Sequence, residues 1–257
     1  ELARRTNKVD FLSCLRHSAR QFIVRRGERT DVIAGYPWFG HWGRDTFIAL
    51  PGLTLSQGDV KSCRDVLDTQ VRDIKNGLFP NLGESYNSVD AALWFFWTLQ
   101  NLEKHITAKK LWERYGEAMK AVLEAYRRGF GEKVKLHANG LVWAAADGEA
   151  LTWMNTKVDG QPVAQRAGYA VEIQALWYNA VSYTLALARK MKDKEFVESW
   201  KDEPAKTKES FLEKFWLDAE YLADYVNDYE TNDFRRSNML VATALDYTML
   251  NEEQTMD

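Results

Sequence analysis

Apolar residues recur at helical spacing through most of this chain. Residues 9–25 carry Phe11, Leu15, Ala19 and Phe22 on one stripe, which predicts a first helix. Residues 44–55 read as a short apolar helix interrupted near Pro51-Gly52. Val60, Cys63, Leu67, Val71 and Ile74 make an amphipathic helix of residues 58–75. Further helices are predicted over 88–104, 108–130, 168–191 and 194–215, and a last one starts near Ser237. Between them, residues 76–83 form a Gly- and Pro-bearing loop, and residues 131–165 alternate enough for short strands. Residues 215–229, around Asp218-Ala-Glu220, read as a hairpin.

The predicted helices differ in kind. Residues 88–99 and 170–188 are apolar almost all round and should be buried on most sides. Residues 108–130 and 194–215 have one apolar stripe and a charged face, the pattern of outer helices. Buried and half-exposed helices in alternation point to two layers in an all-α fold. An α/α toroid meets that pattern, and so does a large irregular bundle. No short-period repeat supports a regular solenoid. The expectation is a single domain over 1–257, with short β-hairpins confined to loops.

Composition narrows the function. The net charge is -3 and no basic block stands out, which argues against nucleic acid and fits an uncharged substrate. No apolar run approaches the roughly 20 residues of a membrane span. Cys14 and Cys63 have no metal-type spacing and fall in helical patterns, which points to buried thiols in a reducing compartment, hence the cytoplasm. The chain does not begin with Met, so it reads as part of something longer. Aromatic residues reach 13%, with 10 Trp, and their clustering supplies the candidate chemistry.

The densest cluster is Gly35-Tyr-Pro-Trp-Phe-Gly-His-Trp-Gly-Arg-Asp-Thr46. Its glycines and proline hold Tyr36, Trp38, Phe39 and Trp42 off regular structure, next to Arg44 and Asp45. Such a loop is built either to pack or to hold a ligand with faces, such as a sugar. Rings meet the apolar faces of a sugar, and charged side chains bind its hydroxyls. Ser88 reads as a helix N-cap with Asp90 in the first turn; Trp94 and Trp97 share the face of Asp90. Residues 151–160 bring Trp153 and Asn155 into an otherwise ordinary loop. Glu172 and Gln174 open an apolar helix, where capping is the simpler reading of Glu172, and Trp177, Tyr178 and Asn179 follow. The four His have no ligand spacing, and no nucleophile elbow, Walker loop or dinucleotide fingerprint occurs. Neither a metal nor a cofactor is expected. What remains is carboxylate chemistry on a sugar, in which two carboxyls flank the glycosidic bond.

Tyr36-Pro-Trp-Phe, Trp42-Gly-Arg-Asp-Thr, Tyr86-Asn-Ser-Val-Asp90, Leu151-Thr-Trp-Met and Val171-Glu-Ile with Ala175-Leu-Trp-Tyr-Asn179 occur in this order. Together they resemble the glucosidase domain of bacterial-type glycogen debranching enzymes, from about residue 10 to the end. Arg236-Ser-Asn-Met-Leu and Asn251-Glu-Glu-Gln254 are similar to a later family segment headed by Arg-Pro-Asn. The resemblance implies an (α/α)6 toroid and an inverting amylo-α-1,6-glucosidase acting on an α-glucan or maltooligosaccharide. By matching motifs it places Trp38, Trp42, Arg44, Asp45, Tyr86, Asp90, Trp153, Glu172 and Asn179 around a glucose subsite. The family's general acid is an Asp directly after Thr-Trp-Met, and here that position is Asn155. An amide accepts and donates hydrogen bonds but supplies no titrating proton, a loss worth about 10²–10⁴-fold in rate. His41 stands where many relatives have Asp. The resemblance puts the general base in a later C-terminal segment that this chain is expected to lack, with about nine of a toroid's twelve helices visible. Two readings follow: a debranching-type α-glucosidase weakened at its acid, or a non-catalytic glucan-binding or regulatory relative. The aromatic density disfavours a plain helical scaffold.

Overall fold

The computed structural model describes residues 10–256 apart from Glu84, Glu132 and Ala219; the predicted helix start at Val9 lies outside them. Asp10 caps α1 (Phe11–Gln21) by accepting the Ser13 N–H at 2.8 Å. This helix stops four residues short of the predicted end. The β-branched run that follows pairs as a hairpin instead, β1 (Ile23–Arg26) with β2 (Arg29–Gly35), and β3 (Phe39–His41) completes an antiparallel sheet. The aromatic segment is therefore partly a strand and not wholly a loop. Its Tyr36-Pro37 peptide is cis.

Next come α2 (Gly43–Leu53), a 3-10 turn (Leu55–Gln57), α3 (Val60–Arg72), α4 (Ala91–Glu103) and α5 (Ala108–Arg128). The predicted strand region holds β4 (Val134–Leu136), β5 (Val142–Ala144), β6 (Lys157–Val158) and β7 (Gln161–Pro162), and β8 (Tyr169–Ala170) leads into α6 (Val171–Met191). The single helix expected over 194–215 is two, α7 (Lys194–Trp200) and α8 (Glu203–Phe215). Pro204, in the first turn of α8, has no N–H to continue α7, and Asp193 caps α7 by accepting the Phe196 N–H. The predicted hairpin is β9 (Trp216–Leu217) with β10 (Tyr221–Leu222). Then follow β11 (Tyr225–Val226), β12 (Thr231–Asn232), a 3-10 turn (Ser237–Met239), α9 (Leu240–Ala244) and α10 (Glu252–Met256).

The fold is mainly helical with small sheets. α2 packs on α4, α4 on α6 and α6 on α9, while α5, α7 and α8 pack on α6. One contiguous core runs from Val32 to Leu250, with Phe47, Phe95, Phe96, Trp177 and Trp200 fully buried. The apolar helices α4 and α6 are the buried ones, as their patterns predicted. Pro51 inside α2 cannot donate to the carbonyl of Phe47; the Thr98 hydroxyl of α4 does so at 2.6 Å, tying the two helices together. No helix among the described residues is long and apolar enough to cross a membrane.

Two contacts aim the helix starts. A side chain at Gly43 would meet the Pro80 carbonyl at 2.3 Å, so only glycine lets α2 begin against that backbone. β11 lies between β8 and β12, and the Val171 N–H donates to the Asp224 carbonyl at 3.0 Å. The start of α6 and the Asp224 segment are thereby locked side by side.

Candidate active site

Two buried ionic clusters sit where α2, α4 and α6 begin. In the first, Arg44 Nε and Nη2 donate to Asp90 Oδ2 and Oδ1, each at 2.7 Å. The Ser88 hydroxyl accepts from Arg44 Nη2 at 3.0 Å and from the Ala91 N–H at 3.2 Å, and donates to Asp90. Asp90 occupies the N-cap of α4 without capping it; Ser88 serves the helix, which frees the carboxylate for Arg44. Burial opposes the Arg44 charge, but the Asp90 carboxylate outweighs it and holds the guanidinium above its ordinary range.

In the second cluster, Arg166 meets two carboxylates. Its Nη1 and Nη2 donate to Glu172 Oε1 and Oε2 at 2.5 and 2.7 Å, and its Nε and Nη2 donate to Asp224 Oδ2 and Oδ1 at 2.9 and 3.0 Å. Arg236 adds a further bond to Asp224. Asn238 Nδ2 donates to Asp224 Oδ1 at 2.7 Å, and Asn238 Oδ1 accepts the Trp153 indole N–H at 2.9 Å. Glu172 lies in the first turn of α6, where the helix dipole favours a carboxylate. Burial nevertheless pushes the Glu172 carboxyl upward, against the pull of Arg166, and the nearby Asp90 charge adds to the rise.

The Val89 N–H donates to the Leu151 carbonyl at 3.0 Å, which lays the Asp90 segment along the Thr152–Asn155 segment. Above this junction opens a polar cleft of about 420 Å³, lined by Arg44, Asn81, Asn87, Thr152 and Asn155, with Lys133 and Glu149 at one side. Lys133 Nζ pairs with Glu149 Oε1 at 2.6 Å. The lining offers amides, a hydroxyl and charge-assisted donors, which suits a ligand rich in hydroxyls.

The clusters and the cleft occupy the motifs that open the predicted site. The chain matches the family described as amylo-alpha-1,6-glucosidase over residues 17–257. It belongs to that family. Among curated relatives, a glycogen debranching enzyme of Saccharomyces cerevisiae (strain ATCC 204508 / S288c) is 35% identical over 86 residues, which cover 30% of this chain and 5% of that protein. The chain thus aligns with a small part of that relative's length.

Of the residues predicted for the amylo-alpha-1,6-glucosidase site, the structure joins Arg44 to Asp90 and sets Arg44 and Asn155 on one cleft. Glu172 lies close enough to Arg44 to favour the guanidinium charge, and close enough to Asp90 to feel that carboxylate. Trp153, two residues before Asn155, is half-exposed and does not itself line the cleft. Asp45 is exposed in the first turn of α2 and lines a different, largely apolar pocket with Phe22 and Ile48. Trp42 is half-buried just before α2, and Trp38 is 78% exposed in the β2–β3 connection; neither lines the cleft. The Tyr86 hydroxyl donates to the Asp73 carbonyl at 2.9 Å, and its ring lines an adjoining cavity. Asn179 is wholly buried, exchanging hydrogen bonds with Gln100 at 2.8 and 3.0 Å. Trp94 and Trp97 pack on each other and on the core.

Sequence reasoning missed Arg166, Asp224 and Ser88 as partners of the predicted carboxylates. Arg166 and Asp224 lie 58 residues apart, and no periodicity links them. Asn238 stood in a recognised motif, Arg236-Ser-Asn238, but without a partner. The signal was available in principle: buried acids at helix starts require cations, and each needed one assigned.

Proposed function

We propose that this chain provides the glucan-binding part of a debranching-type glycoside hydrolase, a fold whose layered helices form an arc of an (α/α)6 toroid. The substrate is the α-1,6-linked glucose at a branch point of an α-glucan, released with inversion. The observation that carries the reading is the meeting of Arg44, Asn87, Thr152 and Asn155 on one polar cleft beside the start of α2. Arg44, held rigid by Asp90, presents its guanidinium edge to sugar hydroxyls. Trp153 offers a ring face. Asp45, Trp38, Trp42 and Tyr86 remain proposed contacts for a longer glucan chain, and Asn179 a support for the packing beneath. The described residues act as one domain in this reading.

In this mechanism a general acid protonates the glycosidic oxygen while a base activates water on the opposite face. Asn155 occupies the acid's position and hydrogen-bonds that oxygen without protonating it. The second reading, a glucan-binding relative without catalysis, is favoured by one observation. Asp90, Glu172 and Asp224 are each committed to arginine, and Glu149 in the cleft is paired with Lys133. None of these acids is free to stand in for Asn155. The separating experiment is glucose release from a branched limit dextrin. The chain is expected to release very little, and Asn155→Asp is expected to raise release once a general base is present. Rapid release by the chain itself would overturn the assignment of the acid position.

A further inference from the structure

We propose that Asn238, backed by Asp224 and Arg166, is a positioning residue that fixes the Thr152–Asn155 segment, whose two ends, Thr152 and Asn155, line the cleft. The proposal rests on the sugar-binding reading of that cleft but adds residues which the reading does not assign.

The two ends of the Asn238 amide have different partners. Its Nδ2 donates to Asp224 Oδ1 at 2.7 Å and lies 3.4 Å from the Met154 sulfur. Asp224 is a carboxylate and only accepts, so the amide nitrogen must face it, and Oδ1 must face Trp153. The Trp153 indole N–H donates to that oxygen at 2.9 Å. The amide thus has one permitted orientation, and the half-exposed indole has a fixed anchor. Asn238 is 2% exposed, and its bond to Asp224 is buried.

Asp224 is held in turn. Arg166 makes three side-chain contacts to the Asp224 side chain and backbone carbonyl, at 2.9, 3.0 and 2.9 Å, and Arg236 closes its remaining side. Arg166 also reaches Thr152 Oγ1 at 3.5 Å, just before Trp153. The Thr152–Asn155 segment is therefore pinned by Arg166 at Thr152 and by Asn238 at Trp153 and Met154. Arg166 has φ 48, left-handed backbone that a side-chain-bearing residue adopts at a cost, and it is 4% exposed. The surrounding bonds hold it there, as expected where geometry at a site matters more than local ease.

The test uses the protein as it stands, with maltohexaose as the probe. First, the Trp153 indole N–H is followed by nuclear magnetic resonance without sugar, assigned through Trp153→Phe. It should exchange slowly in the unaltered protein and shift in Asn238→Leu; fast exchange, or an unmoved resonance in the variant, would overturn the proposal. Second, Asn238→Leu should weaken maltohexaose about tenfold, the scale of one hydrogen bond's net worth. In a Trp153→Phe background the same change should add almost nothing, because its route to the ligand is gone. Equal weakening in both backgrounds would show that Asn238 acts on stability alone and would overturn the proposal. If the unaltered protein binds no maltohexaose, the sugar-binding reading fails by itself, and the indole resonance still decides the positioning claim. Should Asn238→Leu not fold, slow indole exchange in the unaltered protein supports the anchor and fast exchange refutes it.

Discussion

Arg44 and Asp90 form a bidentate ion pair with both bonds at 2.7 Å, between residues that are 8% and 1% exposed. The pair joins the start of α2 to the start of α4, and its Arg44 lines the cleft. Once buried, neither charge can be left alone cheaply. Asp90→Ala should therefore cost about 3–5 kcal/mol of stability, read by chemical denaturation. Arg44→Met/Asp90→Ala should cost less than the two single losses summed, because the second change removes a charge already orphaned. Additive losses would mean the pair is not coupled in solution.

Thr98 fills the vacancy that Pro51 leaves. Its hydroxyl donates to the Phe47 carbonyl at 2.6 Å, inside the packing of α2 on α4. Thr98→Val keeps the shape and removes the donor, so a buried carbonyl loses its partner at a cost of about 1–3 kcal/mol. Pro51→Ala supplies an N–H in the same place. Thr98→Val should then cost less in the Pro51→Ala background, measured by thermal melting.

Cys63 is fully buried, and burial pushes its thiol up to about 12. An unfolded cysteine titrates near 8.5, so between about 8.5 and 12 the unfolded chain has released a proton that the folded chain keeps. The unfolded state then binds fewer protons, and stability falls as pH rises through that window. Cys63→Ala should flatten this alkaline decline, measured as denaturation midpoint against pH, relative to the unaltered protein. In the native protein a water-soluble thiol reagent at pH 8 should leave Cys63 unmodified and modify it on unfolding.

Much of the architecture was legible because the helices are long and strongly periodic. The buried character of α4 and α6 followed from their all-round apolar patterns, and the outer character of α5 from its single stripe. Three features were not legible. The hairpin of Ile23–Arg26 with Arg29–Gly35 was hidden behind a helical stripe that Phe22 prolongs by one position, and pairing with the next strand across the Gly27-Glu28 turn overrode it. The break between α7 and α8 turned on Pro204, whose effect the apolar stripe masks. For the candidate site, motif matching singled out Arg44, Asp90, Trp153, Asn155 and Glu172, which lie near helix starts or in short signatures, and of these Arg44 and Asn155 line the cleft. It could not say that Glu172 is spoken for by Arg166, because that pairing exists only once β8, β11 and α6 are packed together.

Asn179 separates packing from binding. Its amide exchanges two hydrogen bonds with Gln100, and its Oδ1 also accepts the Tyr247 N–H at 3.3 Å, all away from the cleft lining. Asn179→Ala leaves Gln100 unpaired between α4 and α6, which should lower stability by about 1–3 kcal/mol. Maltohexaose affinity of the folded fraction should stay within about twofold. A tenfold loss of affinity with unchanged melting would instead place Asn179 against the ligand.

In the proposed reading, the cleft lined by Arg44, Asn87, Thr152 and Asn155 holds the end of an α-glucan. The most direct test of this claim is a titration of the chain with maltohexaose, followed by tryptophan fluorescence and repeated in Trp153→Phe. A saturable change at millimolar sugar, largely lost in Trp153→Phe, is the predicted result. A spectrum that does not move at millimolar sugar, or a response that survives Trp153→Phe intact, would contradict the claim.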